Sequence, residues 1–276
     1  EYGVVETTYT EADESYAAKR RSQKSGVRTR QLPGVSPLVF SRFLLEKTAF
    51  LSLSDMGKAL PSYEEIPIAC RMDEAVQSEY KRIENALVQV LRSDRRAAQK
   101  ILSAYLNLLT VYPDQPYDQK PILYPDSDIP IVKPESIGDA DCLGEKELRT
   151  LEIVKAAIQN GERALIYTSW VRTDSQQNLK KLLTDEGYRT EILTDKIKTT
   201  DREDWVQKKL AAGMQVLIVN PSLVETGLDL NAFTTLVFYS MGYKLFTLRQ
   251  ASRRSWRINQ KAPAVKVYML YYEDTM

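Results

Sequence analysis

ALIYTS, Ala164 to Ser169, decides how the second half of this chain folds. It is a short apolar run that reads as a buried strand, and it follows a helical pattern at Glu145 to Gln159 with Leu148, Leu151, Val154 and Ile158 on one face. Asn160 and Gly161 stop that helix, because a left-handed residue closes a helix end most cheaply as glycine. The same unit repeats outward. Asp174 to Asp185 is a helix that stops at Gly187 before the strand Tyr188 to Leu193. Thr200 with Glu203 forms a capping box for a third helix, which stops at Gly213 before the strand QVLIV, Gln215 to Val219. Gly161, Gly187 and Gly213 are 26 residues apart, the length of one strand-helix unit. Two more strands, TTLVFYS at Thr234 to Ser240 and AVKVYMLYY at Ala264 to Tyr272, flank a helix around Gln250. This alternation predicts an α/β doubly wound parallel sheet flanked by helices, with ligands at the carboxyl ends of the strands.

The first half has a different rhythm. Residues 1–37 are polar, and KRRSQKSGVRTR at Lys19 to Arg30 places six basic residues in twelve, which reads as a basic arm or loop, either a solvated linker or a phosphate contact. Ser41 to Leu53 suits a short helix. Ser62 to Cys70 is extended but carries Pro67, so it is at best an edge strand. Met72 to Leu91 and Ser93 to Val111 repeat apolar residues at three and four, giving two helices and a mainly helical region before the sheet. Tyr112 to Pro134 holds six prolines, too many for any regular element, and is expected to be a loop or linker. The domain plan is therefore 1–37, 38–134 and 141–276.

Composition narrows the function classes. The chain has 276 residues, 43% hydrophobic and 27% charged, as in ordinary globular proteins, and a net charge of +1 that supplies no global pull toward nucleic acid. Any such contact must come from local clusters. Histidine is absent and the two cysteines, Cys70 and Cys142, lie far apart, which excludes histidine-based triads and argues against a zinc site. No apolar run approaches ~18 residues, so no membrane span is expected and a cytoplasmic or nuclear location follows. The chain opens on Glu1, which reads as a segment of a longer protein.

Two stretches carry chemistry. GLDL, Gly227 to Leu230, follows the strand Val216 to Asn220, where a doubly wound sheet binds ligands; Gly227 permits close backbone approach and Asp229 offers a carboxylate to a ribose hydroxyl. QASRRSWRINQ, Gln250 to Gln260, on a helix puts Gln250, Arg254 and Arg257 on one face, an amide beside two guanidinium groups suited to phosphate oxygens. An arginine pair on a helix is also common as solvated surface.

The order ALIYTSW, NPSLVETGLDL, QASRRSWRINQ resembles motifs IV, V and VI of superfamily 2 helicases. The last stretch is similar to the Swi/Snf pattern Q-A-x-x-R-x-x-R-x-G-Q, with Trp256 in place of the usual histidine and Asn259 in place of glycine; GLDL stands where GLGINL is more typical. SRFLLEKTAF and LPSYEEIPIACRMDEAVQSEYKRI resemble the family's passage from the first lobe to the second, and GEKELRTLEIV its Gly-Lys helix. The second half thus looks like the C-terminal RecA-like lobe of a Swi/Snf-type, nucleic-acid-dependent ATPase, and residues 1–37 like the tail of the first lobe.

The resemblance implies roles. Arg254 and Arg257 would reach the ATP phosphates across the lobe interface, with Arg257 as the finger and Gln250 organising their helix. Gly227 and Asp229 would border the nucleotide, while Thr226, Thr168 and Ser169 would touch the nucleic-acid backbone. Blander readings stand beside these: Gln250 as a surface pair, Thr168 and Ser169 as strand ends, Asp229, Asn220 and Ser222 as turn chemistry. The implied cofactors are ATP and magnesium, held mainly by an upstream lobe; the implied partners are that lobe and DNA, with RNA second. No GxxxxGK[ST] loop occurs, and DEAV at Asp73 to Val76 lacks the apolar strand of a Walker B box, so Asp73 reads as a helix N-terminal residue. The segment alone is expected not to hydrolyse ATP. The rivals are a non-catalytic nucleic-acid-binding or scaffolding module and a sugar-nucleotide transferase lobe.

Overall fold

The computed structural model describes residues 3–10, 26–50, 60–139, 142–169, 175–224, 228–242, 244–258 and 260–275. The chain divides into two compact units, Glu1–Gly57 and Lys58–Met276. In the first, β1 (Gly3–Thr10) and β2 (Gly26–Val35) pair antiparallel, where polar composition suggested an arm or loop. The run of Val4, Val5, Thr7, Thr8 and Tyr9 supplies the β-branched and aromatic residues such a ribbon needs. Helical turns at Pro37–Val39, Phe40–Leu44 and Leu45–Lys47 follow, opened by Ser36, whose hydroxyl accepts from Leu38 N. They begin earlier and end earlier than the helix expected at Ser41 to Leu53.

The second unit is built on one parallel sheet. In chain order its strands are β3 (Ser62–Cys70), β6 (Ala164–Tyr167), β7 (Thr190–Leu193), β8 (Val216–Val219), β9 (Thr235–Phe238) and β10 (Ala264–Tyr272), arranged β3-β10-β9-β6-β8-β7. Every pairing is parallel. β3 takes the edge beside β10, the position that tolerates Pro67. β6, β8 and β9 are buried throughout, and alternate residues feed two cores. Leu165, Tyr167, Leu217, Val219, Leu236 and Phe238 face one side; Ala164, Ile166, Val216, Ile218 and Val237 face the other. Helices α5 (Arg202–Ala211) and α6 (Leu245–Ser252) cover the first side through Val206 and Ala251. The second is covered by α3 (Glu145–Gln159) and α4 (Ser175–Asp185) through Val154, Leu179 and Leu183.

The helix stops fall at the expected glycines. Gly161, Gly187 and Gly213 have φ of 75°, 88° and 89°. Each is followed by a residue whose N–H reaches back to the last turn, Glu162 to Ala157 O, Tyr188 to Leu183 O and Met214 to Lys209 O, one Schellman motif used three times. The capping box expected for α5 does not form: Asp201 is the N-cap without a side-chain bond, and Thr200 spends its hydroxyl on the Asp201 carboxylate.

α1 (Glu74–Ser93) and α2 (Arg95–Val111) form the expected helical pair, with Asp73 as the N-cap of α1 and Asp94 accepting from Arg96 N and Ala97 N at the start of α2. Tyr80, Ile83, Leu87, Ile101, Tyr105 and Tyr112 make their shared core. The proline-rich stretch contains a regular element after all: β4 (Ile122–Leu123) pairs with β5 (Pro130–Val132), the prolines lying outside the bonded positions or at a strand start. Val132 packs into the α1–α2 core, and Glu79 accepts from Glu135 N, so this stretch is docked.

The buried face of α3 differs from the expected one. Lys146, Thr150, Val154 and Ala157 are buried, whereas Leu148 is 47% exposed. The Lys146 ammonium meets Asp114 Oδ1 at 2.7 Å with both side chains over nine-tenths buried, and it lies over the rings of Tyr239 and Tyr272. Asp114 belongs to the proline-rich stretch, so this ion pair ties that stretch to the sheet. A charge partner distant in sequence thus outranks the apolar stripe that periodicity selects.

Candidate functional site

β6 leads to β7 at one edge, while β8 leads to β9 on the opposite side of β6, so the connections diverge at the carboxyl ends of β6, β8 and β9. Such a divergence opens a crevice. Polar residues fill it. Ser169 N donates to Ser240 Oγ at 2.8 Å, Ser169 Oγ donates to Ser240 O at 3.0 Å, and Asn220 Nδ2 donates to Ser169 O at 3.0 Å. Asn220 Oδ1 accepts from both Ser222 N and Ser222 Oγ, so Asn220 and Ser222 perform turn chemistry while also bracing the end of β6. Beside them lies an open groove of ≈ 340 Å³, lined by Ser169, Asn220, Ser222 and Lys244 together with the apolar Phe238, Met241 and Leu248.

Thr168 and Ser169 separate in role. Thr168 is fully buried and accepts from Gln176 Nε2 at 2.7 Å, which takes it out of reach of a ligand and makes it a strand-end support. Ser169 lines the groove. Thr226 and Gly227 lie outside the described residues. Asp229 closes a turn, its two carboxylate oxygens accepting from Asn231 N at 3.1 Å and Asn231 Nδ2 at 3.2 Å.

The helical face proposed for the arginines does not exist. α6 ends at Ser252, with Gln250 in its last turn and Arg253 as C-cap, so Arg254 and Arg257 lie on the irregular segment beyond it. Tertiary contacts pull the chain off the helix axis. The Ser255 hydroxyl, fully buried, donates to Leu230 O at 3.0 Å, and Trp256 Nε1 donates to Pro61 O at 2.8 Å with its ring 4.9 Å from that of Tyr63. Arg254 is placed near the Tyr167 hydroxyl: burial pushes the pKa of that tyrosine up, and the Arg254 cation opposes the rise. The same hydroxyl donates to Ala251 O at 3.1 Å. Arg257 is half-buried, and its guanidinium makes no hydrogen bond or ion pair among the described residues.

The turn at Asp229 and the arginine segment are nevertheless brought together, by residues given no role from sequence. Gln260 Nε2 donates to Asn231 O and to Ser255 O, each at 2.9 Å, and Gln260 Oε1 accepts from Ala262 N at 3.1 Å. Ser255 and Gln260 stood inside a quoted motif, but no local pattern reveals that they bond Leu230 O and Asn231 O, 25 and 29 residues upstream. This juxtaposition joins the Asp229 turn to a segment that carries two guanidinium groups, whose chemistry suits phosphate. Among the described residues no group of three His, Cys, Asp or Glu side chains is placed to hold a metal ion.

Residues 146–259 match the model of the helicase conserved C-terminal domain family. That stretch is similar to a helicase C-terminal domain. The fold agrees with solved structures of low sequence identity. One is the C-terminal part of the Fun30 ATPase domain, with TM-score 0.59 and 14% identity over 78% of this chain and 87% of that one. Another is the Sulfolobus solfataricus SWI2/SNF2 ATPase core in complex with dsDNA, with TM-score 0.56 and 20% identity over 77% of this chain and 41% of that one. A third, the Sulfolobus solfataricus SWI2/SNF2 ATPase C-terminal domain, gives TM-score 0.53 and 17% identity over 77% and 80%. The chain therefore shares the RecA-like fold of these structures, and it spans about two fifths of the complete ATPase core among them. No curated protein matches the sequence. No helix among the described residues is long and apolar enough to cross a membrane.

Proposed function

We propose that this chain is the second motor lobe of a nucleic-acid-dependent, Swi/Snf-type ATPase acting on DNA. The observation that carries the reading is the joining of the Asp229–Asn231 turn to the Arg254–Arg257 segment through Ser255 and Gln260. ATP with magnesium supplies a polyphosphate whose terminal group gains charge during transfer. Arg257 is the finger toward that group and Arg254 its companion, with Gln250 organising the helix end that precedes them. Asp229 borders the nucleotide through its turn, and Lys244 grips phosphates of one strand at the groove that Ser169 lines, a sequence-tolerant contact. The magnesium ligands and the phosphate loop come from an upstream lobe, so the 276-residue chain alone does not turn over ATP.

The test is ATP turnover by the intact protein with and without DNA. Arg257→Gln and Arg254→Gln are each expected to lower stimulated kcat by about 10³-fold or more with an unchanged circular dichroism spectrum. Wild-type turnover in both folded variants overturns the assignment. A nucleic-acid-binding module is favoured instead if the wild-type protein binds DNA without hydrolysing ATP.

A further inference from the structure

We infer that Gln260 and Ser255 are positioning residues that make the turn after β8 and the arginine segment after α6 one mechanical unit, so that a displacement of the first reaches the second. The inference rests on the function proposed above for its catalytic consequence, and on the hydrogen bonds alone for its structural one.

Gln260 is used almost to capacity. Both N–H groups of its amide are donated, one to Asn231 O in the turn and one to Ser255 O in the arginine segment, while its oxygen receives Ala262 N. Glutamate would lose both donors, lysine the acceptor, and asparagine is a methylene short. Ser255 adds a second tie, its buried hydroxyl donating to Leu230 O. The two ties enter consecutive carbonyls, Leu230 and Asn231, so the turn is held against rotation as well as translation. On its far side the turn is anchored by Leu228, Leu230 and Phe233, which are buried in the core that also contains Tyr167 and Ala251. The turn is thus clamped between the sheet and the arginine segment.

Trp256 also holds the segment, through Nε1 to Pro61 O and its ring against Tyr63. The segment lies beyond the last helical turn, and its own backbone bonds are the short-range ones from Arg254 N to Ala251 O, Trp256 N to Arg253 O and Gln260 N to Arg257 O. A finger on irregular backbone is aimed only as well as its supports, and a misplacement of about 1 Å costs roughly 10²-fold in rate. A displacement of the turn is felt at Arg257 through the ties at Leu230 and Asn231.

Two measurements test this on Gln260→Ala, Gln260→Glu and Ser255→Ala. In the intact protein, each Gln260 variant is expected to lose 10- to 100-fold in DNA-stimulated kcat, with KM for ATP and half-saturating DNA within threefold of wild type. A folded variant with wild-type stimulation overturns the inference, and so does a loss that appears only as raised KM. The second measurement is amide hydrogen exchange on the 276-residue chain. Gln260→Ala is expected to speed exchange both at Phe233, which donates to Leu230 O, and at Trp256, across the ties. Faster exchange confined to residues 254–262 shows a local cap and overturns the coupling. If the wild-type protein has no DNA-stimulated ATPase, the proposed function fails while the exchange experiment still decides the coupling.

Discussion

Replacing Lys146 by methionine would leave Asp114 buried without its cation. The two groups are 2.7 Å apart, with side-chain exposures of 6% and 3%, so water cannot compensate either one. Methionine fills similar volume between the Tyr239 and Tyr272 rings, where sulfur packs well, so the change isolates the charge. In the wild-type protein burial raises the Asp114 pKa above its ordinary value of 3.8, and Lys146 pulls it back down. Without Lys146 the carboxyl stays protonated in the folded state at neutral pH. Holding that proton at pH 7 spans about 3 units at ~1.4 kcal/mol each, a ceiling of about 4 kcal/mol. The wild-type value of about 6 already bears about 3 kcal/mol of this cost, so a net destabilisation of about 1 kcal/mol is expected at pH 7. The sign with pH follows from the raised folded value. The contribution is fully favourable below the unfolded pKa near 4 and is lost as pH rises, at up to about 1.4 kcal/mol per unit. Lys146→Met should therefore approach wild type at pH 5 and fall furthest behind above pH 7. Urea unfolding followed by tryptophan fluorescence across pH 5 to 8 measures this, and Lys146→Met with Asp114→Asn should flatten the difference. A Lys146→Met variant within about 0.5 kcal/mol of wild type at pH 7, with the same pH slope, would refute the argument.

Other perturbations have simpler readouts. Tyr167→Phe removes the buried bond to Ala251 O, which still accepts from Arg254 N, and should cost about 1 kcal/mol in chemical unfolding. Gly187→Ala places a Cβ in open space at φ of 88°, so the cost is backbone strain alone, about 1 to 2 kcal/mol, with Gly187→Asn milder by thermal unfolding.

The candidate site was legible in part. GLDL and QASRRSWRINQ were recognisable as the chemical stretches, and the structure brings Asp229 and the arginine segment together. Their geometry was not legible, because helical spacing placed Arg254 and Arg257 on one face of a helix that ends at Ser252. Ser255, Trp256 and Gln260 each bond to backbone brought near only by the parallel sheet, and those bonds redirect the chain. The burial of Thr168 was not legible for a related reason: its hydroxyl accepts from Gln176, eight residues on.

Local pattern alone determined the alternation of buried strands and helices, the three glycine stops and the edge position of the proline-bearing strand. These depend on side-chain period, left-handed backbone and a missing N–H, all properties of residues near in sequence. Tertiary structure decided where α6 ends, which face of α3 turns inward and how the proline-rich stretch is docked. In each case a polar group, Ser255, Lys146 or Glu79, is buried only because its partner arrives from far along the chain. An unpaired buried polar group costs more than a helical turn or an exposed leucine, so the partner prevails over the pattern.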